Sequence, residues 1–414
     1  MIVEKKTFIT AMFVLLTAII GVIFNSPIVC RMCVLLLFVI CILRGMREKY
    51  FLNPYYMFAL VPFTLLIYAN ISNYHLDLTV NTWLIAIINI AAFVIALDFT
   101  PEYKHLEKCK GLGSDKYLIN HVFLFLIIGS MPALFRLVLN RTMPLASIFT
   151  LFSTVAMVAA IKTKKKLVIS INIIVTIILW AGYVSKSQVL SILIALLISY
   201  EKYYAKNQKQ KRMIISLSLV GLFVMILAFT FANKGRGSQV GFSAVEYYTK
   251  FGGITWNRSE YLLMPYMYMT TPWANLQYVI QNQTSRTYGL WLLKPLIGYL
   301  QLDDILSNYY RIQAYSNFNT FTYIAVQFKD FGFWGSCISS FLLGIFSKKV
   351  YSRFCISKSP LDTACYVLLA QAIIEMFFSN EFFTQSFPFT VVIITALCKL
   401  SFCRNCDVEL EEED

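Results

Sequence analysis

Twelve apolar runs, each long enough to cross roughly 30 Å of hydrocarbon, occupy most of this 414-residue chain. An apolar run of this length is typical of a transmembrane helix. The sequence therefore predicts an all-α polytopic membrane protein with about twelve transmembrane helices. The runs cover residues 7–24, 27–43, 54–70, 81–98, 117–138, 144–161, 167–184, 187–204, 213–232, 325–347, 361–379 and 386–402.

Composition excludes a soluble globular domain, because 58% of the residues are hydrophobic and only 14% are charged, against about a quarter charged in soluble domains. The net charge of +14 would favour nucleic acid as the partner of a soluble protein. Here the lysines and arginines lie in short blocks between the apolar runs, which is how membrane topology is encoded. We therefore expect the membrane as a partner and no nucleic acid.

The basic blocks also orient the chain. If the amino terminus lies inside, every second connecting segment is an inside segment, and these segments hold most of the 36 lysines and arginines. Because inside loops are rich in basic residues, we expect both termini in the cytoplasm. The predicted organisation is a bundle of spans at 1–232, a large outer loop at 233–320, further spans at 321–402 and a cytoplasmic acidic tail at 403–414.

The loop at 233–320, called here the lid, is the one long segment that is not apolar enough to cross the membrane. Aromatic and charged residues are interleaved along it, which favours a folded set of short amphipathic helices on the membrane surface over a flexible tether. Thr271 followed by Pro272 predicts the start of one such helix, which would run through Trp273–Gln281. The basic residues of the lid are either ordinary solvated charges or contacts to an anionic ligand.

Three arginines of the lid are candidates for binding phosphate. A guanidinium donates two parallel hydrogen bonds and stays charged at every relevant pH. Arg258, Arg286 and Arg311 therefore predict contact with a lipid pyrophosphate or with a phosphate-bearing glycan. The alternative is that each pairs with a nearby carboxylate, as Arg258 could with Glu260.

Other cations could add to such a site. Lys186 lies at a tight outer turn between two spans, where it either snorkels to the interface or helps to bind an anion. Lys234 and Arg236 supply positive charge where the lid begins.

Carboxylates and rings of the lid have two interpretations each. A sugar hydroxyl is a poor nucleophile until a base takes its proton, and the outward candidates for that base are Glu246, Glu260 and Asp303. A structural ion pair is the alternative role for each of them. The tyrosines and tryptophans either sit at the membrane interface or stack on sugar faces.

The sequence contains no pattern for a metal or a cofactor. None of the three histidines belongs to a His/Cys/Asp cluster, no Ser-His-Asp set is found, and none of the ten cysteines lies in the lid. No glycine-rich phosphate cradle occurs in an inside segment. We therefore predict no metal, no cofactor and no nucleotide substrate.

Several short patterns resemble a known family. They are Asn319-x-Phe321-Thr322 and Asp330-Phe331-Gly332-x-x-Gly335 at the start of a late span, with Arg258-x-x-Tyr261 and Pro272–Asn275 in the lid. With a dozen spans and one dominant outer loop, the chain resembles the bacterial oligosaccharide repeat-unit polymerases, the Wzy-type O-antigen and capsule polymerases. It departs from that pattern at Lys186, where an arginine is expected.

The resemblance implies a reaction on the outer face of the bacterial inner membrane, within an architecture similar to that of the GT-C glycosyltransferases. A glycan carried on undecaprenyl pyrophosphate is transferred to another lipid-linked repeat unit. Arg258, Arg286 and Arg311 would hold the pyrophosphate, and the base we expect is Glu260. The residues expected to contact the rest of the substrate are Lys186, Lys234, Arg236, Tyr261, Asn275, Asn319 and Asp330.

The implied partners are the lipid-linked oligosaccharide, a chain-length regulator and a flippase of the same pathway. Three other functions stay open at this point. A flippase usually has paired halves with charges near the middle of the membrane, whereas here the halves differ and the charges lie outside. The others are an O-antigen ligase and a membrane acyltransferase, and the acyltransferase would need a well-placed histidine.

Overall fold

The computed structural model describes residues 26–71, 78–101, 119–139, 146–183, 186–205, 260–282, 285–291, 320–357 and 359–378, with the single positions 210, 213 and 216. Within these ranges every regular element is a helix and no strand occurs, which confirms the predicted all-α class there. The helices are α1 (Pro27–Gly45), α2 (Pro54–Phe58), α3 (Leu60–Ile71), α4 (Val80–Phe99), α5 (Val122–Leu139), α6 (Ala146–Thr163), α7 (Lys166–Tyr183), α8 (Lys186–Tyr203), α9 (Glu260–Asn282), α10 (Tyr323–Ile356) and α11 (Pro360–Glu375).

Three of the described helices, α1, α4 and α5, are long and apolar enough to cross a membrane. Shorter apolar helical stretches lie at Phe152–Thr163 in α6 and Lys166–Thr176 in α7. These helices support the prediction that the protein is embedded in a membrane. The predicted spans at 7–24 and 386–402 lie outside the described residues.

Several helices begin where the sequence places a polar cap. The side chains of Asn53, Thr79 and Thr322 each accept a hydrogen bond from the backbone N–H three residues further on. Each bond satisfies an N–H that has no partner within the helix. Proline follows the cap residue of α1, α2 and α11, at the one helical position where its missing N–H costs nothing.

Helix α9 differs from the short helix predicted in the lid. The structure has one helix from Glu260 to Asn282 with Pro272 inside it, so the predicted start at Thr271 is wrong. The hydroxyls of Thr270 and Thr271 instead donate to the carbonyls four residues earlier, close to where Pro272 removes a backbone donor. Because α9 packs against α3 and α10 and fully buries Trp273, tertiary packing outweighs the local preference for a break.

The described helices form two groups. One group contains α1, α3, α4, α9 and α10, and the other contains α5, α6, α7, α8 and α11, while contacts of α11 with α10 and α2 join the groups. Helices α4 and α10 make the most extensive contact. They approach closely at Gly344, where a Cβ would stand 2.5 Å from the carbonyl oxygen of Phe93.

A buried polar link also joins α4 to α10. Asn89 is fully buried. Its amide nitrogen donates to the hydroxyl of Ser336 at 3.2 Å, and its amide oxygen accepts a hydrogen bond from the hydroxyl of Ser340 at 2.7 Å. The link fixes the register of the two helices that support the site described below.

Replacing Asn89 by leucine should lower the free energy of unfolding by about 1–3 kcal/mol, because it removes two buried hydrogen bonds between helices. Equilibrium unfolding of the purified protein in detergent micelles would measure the loss. Asn70→Leu is the control, since among the described residues the exposed amide of Asn70 bonds only to a carbonyl of its own helix. Equal losses in the two variants would show that the link does not stabilise the fold.

Basic residues from four predicted inside segments meet at one end of the bundle, called here the basic end. The ammonium groups of Lys49 and Lys202 donate to carbonyls in the last turn of α10, at 3.1 and 2.7 Å. Lys348 pairs with Glu48 at 2.9 Å, and Lys164 stands over a tyrosine ring at the end of α8. The start of α10 lies at the opposite end.

Candidate functional site

Helix α10 breaks at Gly332, near the end of the bundle opposite the basic end. The backbone of Gly332 has φ 68° and ψ −162°, a conformation that is almost restricted to glycine. The break separates a short segment at 323–331 from a longer one that runs to the basic end. At the start of a helical segment the first N–H groups have no partner within that segment, so we expect a partial positive charge where the longer segment begins.

The guanidinium of Arg286 fills the space beside Gly332. Its Nη1 atom lies 1.1 Å from the position that a Cβ would take on this glycine, so a side chain at position 332 would displace it. The side chain of Arg286 is exposed and can therefore meet a ligand. The guanidinium of Arg286 and the start of the longer segment of α10 thus both place positive charge beside Gly332.

The turn at 285–291 carries Arg286 and is anchored to Asp330. The Oδ1 atom of Asp330 accepts hydrogen bonds from the hydroxyl of Thr287 and from the backbone N–H of Trp291, the latter at 3.0 Å. Asp330 and Thr287 are both buried. Hydrogen bonds to an ionised carboxylate are about twice as strong as neutral ones, so this anchor fixes Arg286 next to the break.

The same turn supplies donors to the backbone just before the break. The carbonyl of Lys329 accepts the N–H of Thr287 at 3.4 Å, and the carbonyl of Asp330 accepts the N–H of Tyr288 at 3.0 Å. In an unbroken helix these carbonyls would bond to N–H groups four residues further on. Tyr288 and Gly289 have positive φ angles of 49° and 91°, which close the turn onto α10.

Lys329 adds a buried positive charge beside this anchor. Its side chain is 1% exposed, and its Nζ atom lies 5.0 Å from the centroid of the Trp291 ring. That ring packs edge-on against Phe321, with 5.2 Å between centroids. The charges of Arg286, Lys329 and Asp330 sum to one net positive charge, which favours an anionic ligand.

Two of the predicted site residues, Arg286 and Asp330, come together in the structure through Thr287. Asn275 lies elsewhere, buried in α9, where its amide donates to the carbonyl of Thr320 at 2.7 Å. This bond ties α9 to the start of α10. The contact of Asn275 with sugars stays a prediction.

The other predicted site residues lie at or beyond the limits of the described residues. Glu260 and Tyr261 begin α9 and Lys186 begins α8, and only their backbones are described. Outside the described residues lie Lys234, Arg236, Glu246, Arg258, Asp303, Arg311 and Asn319. Their roles also stay predictions.

The sequence analysis did not include Thr287, Lys329 or Trp291 among the candidate site residues. One signal was present, because charged residues within an apolar run are costly and need partners. The sequence did not predict which residue bonds to Asp330, because Thr287 lies 43 positions away in the chain.

Comparison of the chain with models of known protein families, with curated proteins and with solved structures finds no match. The site is therefore interpreted from its own chemistry. Within the described ranges, no three His, Cys, Asp or Glu side chains lie close enough to hold a metal ion. The described residues provide an exposed cation, Arg286, on a turn that a hydrogen-bonded carboxylate anchors, and a buried cation, Lys329, over the ring of Trp291.

Proposed function

We propose that this chain is a membrane glycosyltransferase that polymerises undecaprenyl-pyrophosphate-linked oligosaccharide repeat units into O-antigen or capsular polysaccharide. The observation that carries the proposal is the guanidinium of Arg286 beside the break of α10, with buried Lys329 nearby. Because basic segments mark the cytoplasmic side, a site at the end opposite the basic end would face outward. Repeat units carried on a lipid would meet it there.

The proposed protein has about twelve transmembrane helices in a GT-C-like arrangement, sits in the bacterial inner membrane and has both termini in the cytoplasm. The lid at 233–320 would cover the site and bring Arg258 and Arg311 to it. Lys234 and Arg236 would add to the positive charge. A chain-length regulator and a flippase of the same pathway are the expected partners.

The chemistry follows from the leaving group. The hydroxyl of one repeat unit attacks the anomeric carbon of the lipid-linked glycan, the bond from that carbon to the pyrophosphate oxygen breaks, and Glu260 takes the hydroxyl proton. Negative charge grows on the departing lipid pyrophosphate. A donor already positioned for that charge, as Arg286 is, lowers the barrier by about 3–4 kcal/mol. Because the pyrophosphate is already activated, no nucleotide is required.

The break in α10 also favours a second candidate, a lipid-linked oligosaccharide flippase. Broken helices whose amino-terminal ends face an anionic substrate are common in transporters, and Lys329 and Asp330 are buried close to the break. A ligase that passes finished polymer to another acceptor would use the same leaving group.

Deletion of the gene in its native bacterium separates the three candidates. Loss of a polymerase should leave glycan with a single repeat unit on the cell surface, which is the result we expect. Loss of a flippase should trap repeat units inside the cell, and loss of a ligase should leave long polymer unattached. Gel analysis of surface glycan together with lipid-linked intermediates would measure the outcome, and either of the last two patterns would rule out the polymerase.

A further inference from the structure

A cavity of about 380 Å³ opens at the basic end, at the other end of α10 from the break. It lies between the connection from α1 to α2 and the last turns of α10. Its lining includes Arg47, Glu48, Lys49, Ser352 and Cys355. This volume falls within the range of small-ligand sites, which is about 300–1,000 Å³.

The lining of this cavity is positive. Glu48 is the one carboxylate among the described residues that line it, and Lys348 pairs with that carboxylate at 2.9 Å, so this negative charge is already compensated. Lys49 and Arg47 remain as cations with no carboxylate partner among the described residues. The guanidinium of Arg47 is exposed and makes no hydrogen bond or ion pair within the described part of the chain.

The end of α10 would ordinarily repel an anion, because carbonyl oxygens at the carboxyl end of a helix carry partial negative charge. Here two lysine ammonium groups donate hydrogen bonds to those carbonyl oxygens. Lys49 donates to the carbonyl of Cys355 at 3.1 Å and Lys202 to that of Phe354 at 2.7 Å. The negative end of the helix is therefore neutralised beside the cavity.

Ser352 gives an independent sign of a ligand. Its side chain is 5% exposed, it lines the cavity, and its hydroxyl has no hydrogen-bond partner among the described residues. Buried polar groups are nearly always hydrogen-bonded, and an exception needs an explanation. Rotation of this side chain toward the cavity would let an acceptor oxygen of a bound group supply the missing partner.

We propose that this cavity binds a phosphate group, held by the guanidinium of Arg47, the ammonium of Lys49 and the hydroxyl of Ser352. Phosphate fits these donors because its several oxygens accept hydrogen bonds from charged and neutral donors at once. The group belongs either to an anionic phospholipid headgroup of the adjacent leaflet or to free phosphate. The site is separate from the one at Gly332 and does not depend on the proposed polymerase activity.

The test measures ligand-induced stabilisation of the full-length protein. One arm follows the thermal unfolding midpoint in phosphatidylcholine nanodiscs with increasing phosphatidylglycerol, and the other adds inorganic phosphate at constant ionic strength to protein in pure phosphatidylcholine. A ligand that binds only the folded protein raises the midpoint in a saturable way. Saturation in the first arm identifies a lipid headgroup, and saturation in the second identifies free phosphate.

Variants decide whether the cavity is responsible. Arg47→Gln should raise the half-saturating concentration about tenfold, since it removes a charge-assisted hydrogen bond. Arg47 has no partner in the described protein, so this variant should unfold like the wild type when no ligand is present. Lys349→Gln is the matched control, because Lys349 is exposed on the same helix outside the cavity lining. Equal shifts in the two variants, or no stabilisation in either arm, would overturn the proposal.

Discussion

Arg286→Ala is expected to lower the rate of polymerisation by the purified protein about 10²–10³-fold, the usual cost of removing one pre-positioned donor for developing negative charge. The guanidinium is held beside the break of α10 by the turn that Asp330 anchors. Alanine removes the charge and leaves the anchor through Thr287 and Trp291 intact. The rate of undecaprenyl pyrophosphate release from a purified lipid-linked repeat unit would measure the effect.

Two further variants make this prediction specific. Arg286→Lys keeps the charge but loses the two parallel hydrogen bonds of a guanidinium, so its rate should fall between the wild type and Arg286→Ala. Arg353→Ala is the control, because Arg353 is an exposed arginine at the basic end that pairs with Asp362. We expect it to retain the wild-type rate. A wild-type rate in Arg286→Ala, with normal amounts of protein in the membrane, would eliminate Arg286 from the site.

Gly332→Ala should have an effect of similar size for a different reason. A Cβ at this position would stand where the guanidinium of Arg286 now lies, so the arginine has to move out of the site. The backbone conformation of Gly332 also strains any residue with a side chain, at a cost of about 1–3 kcal/mol. We therefore expect both a loss of stability and a loss of polymerisation about as large as in Arg286→Ala.

A double variant separates these two effects. In Gly332→Ala/Arg286→Ala the rate should be no lower than in either single variant, because both changes remove the same interaction. Gly344→Ala provides the comparison for stability, since a Cβ at Gly344 would collide with α4 far from the break. It should destabilise the protein while the folded fraction keeps its activity. Fully additive losses in the double variant would show that Gly332 does not act through Arg286.

Local signals explain the parts of the fold that the sequence predicted. The apolar run at 81–98 predicts a helix from its own residues alone, and the structure has helix α4 at Val80–Phe99 there. Pro272 shows the limit of such rules, because a proline that ordinarily begins a helix lies inside α9 once Trp273 is buried against other helices. Packing of this kind depends on residues far away in the chain.

The site was predictable only in part for the same reason. The hydrogen-bonding chemistry of arginine indicated Arg286 as a phosphate contact. The resemblance to the polymerase family indicated Asp330 as a substrate contact. A glycine at position 332 is also compatible with a continuous helix at a cost of about 1 kcal/mol, so the sequence does not specify the break. The break is held by hydrogen bonds from the turn at 285–291 to the end of the first segment, and no local rule relates these two stretches.

The most direct test of the central claim is the affinity of the purified protein for undecaprenyl pyrophosphate in nanodiscs. This measurement asks whether the cations at the break of α10 hold a pyrophosphate group, whatever reaction follows. We predict saturable binding by the wild type, binding at least about tenfold weaker in Arg286→Ala, and an unchanged affinity in Arg353→Ala. An affinity that is the same in the wild type and in Arg286→Ala would contradict the account.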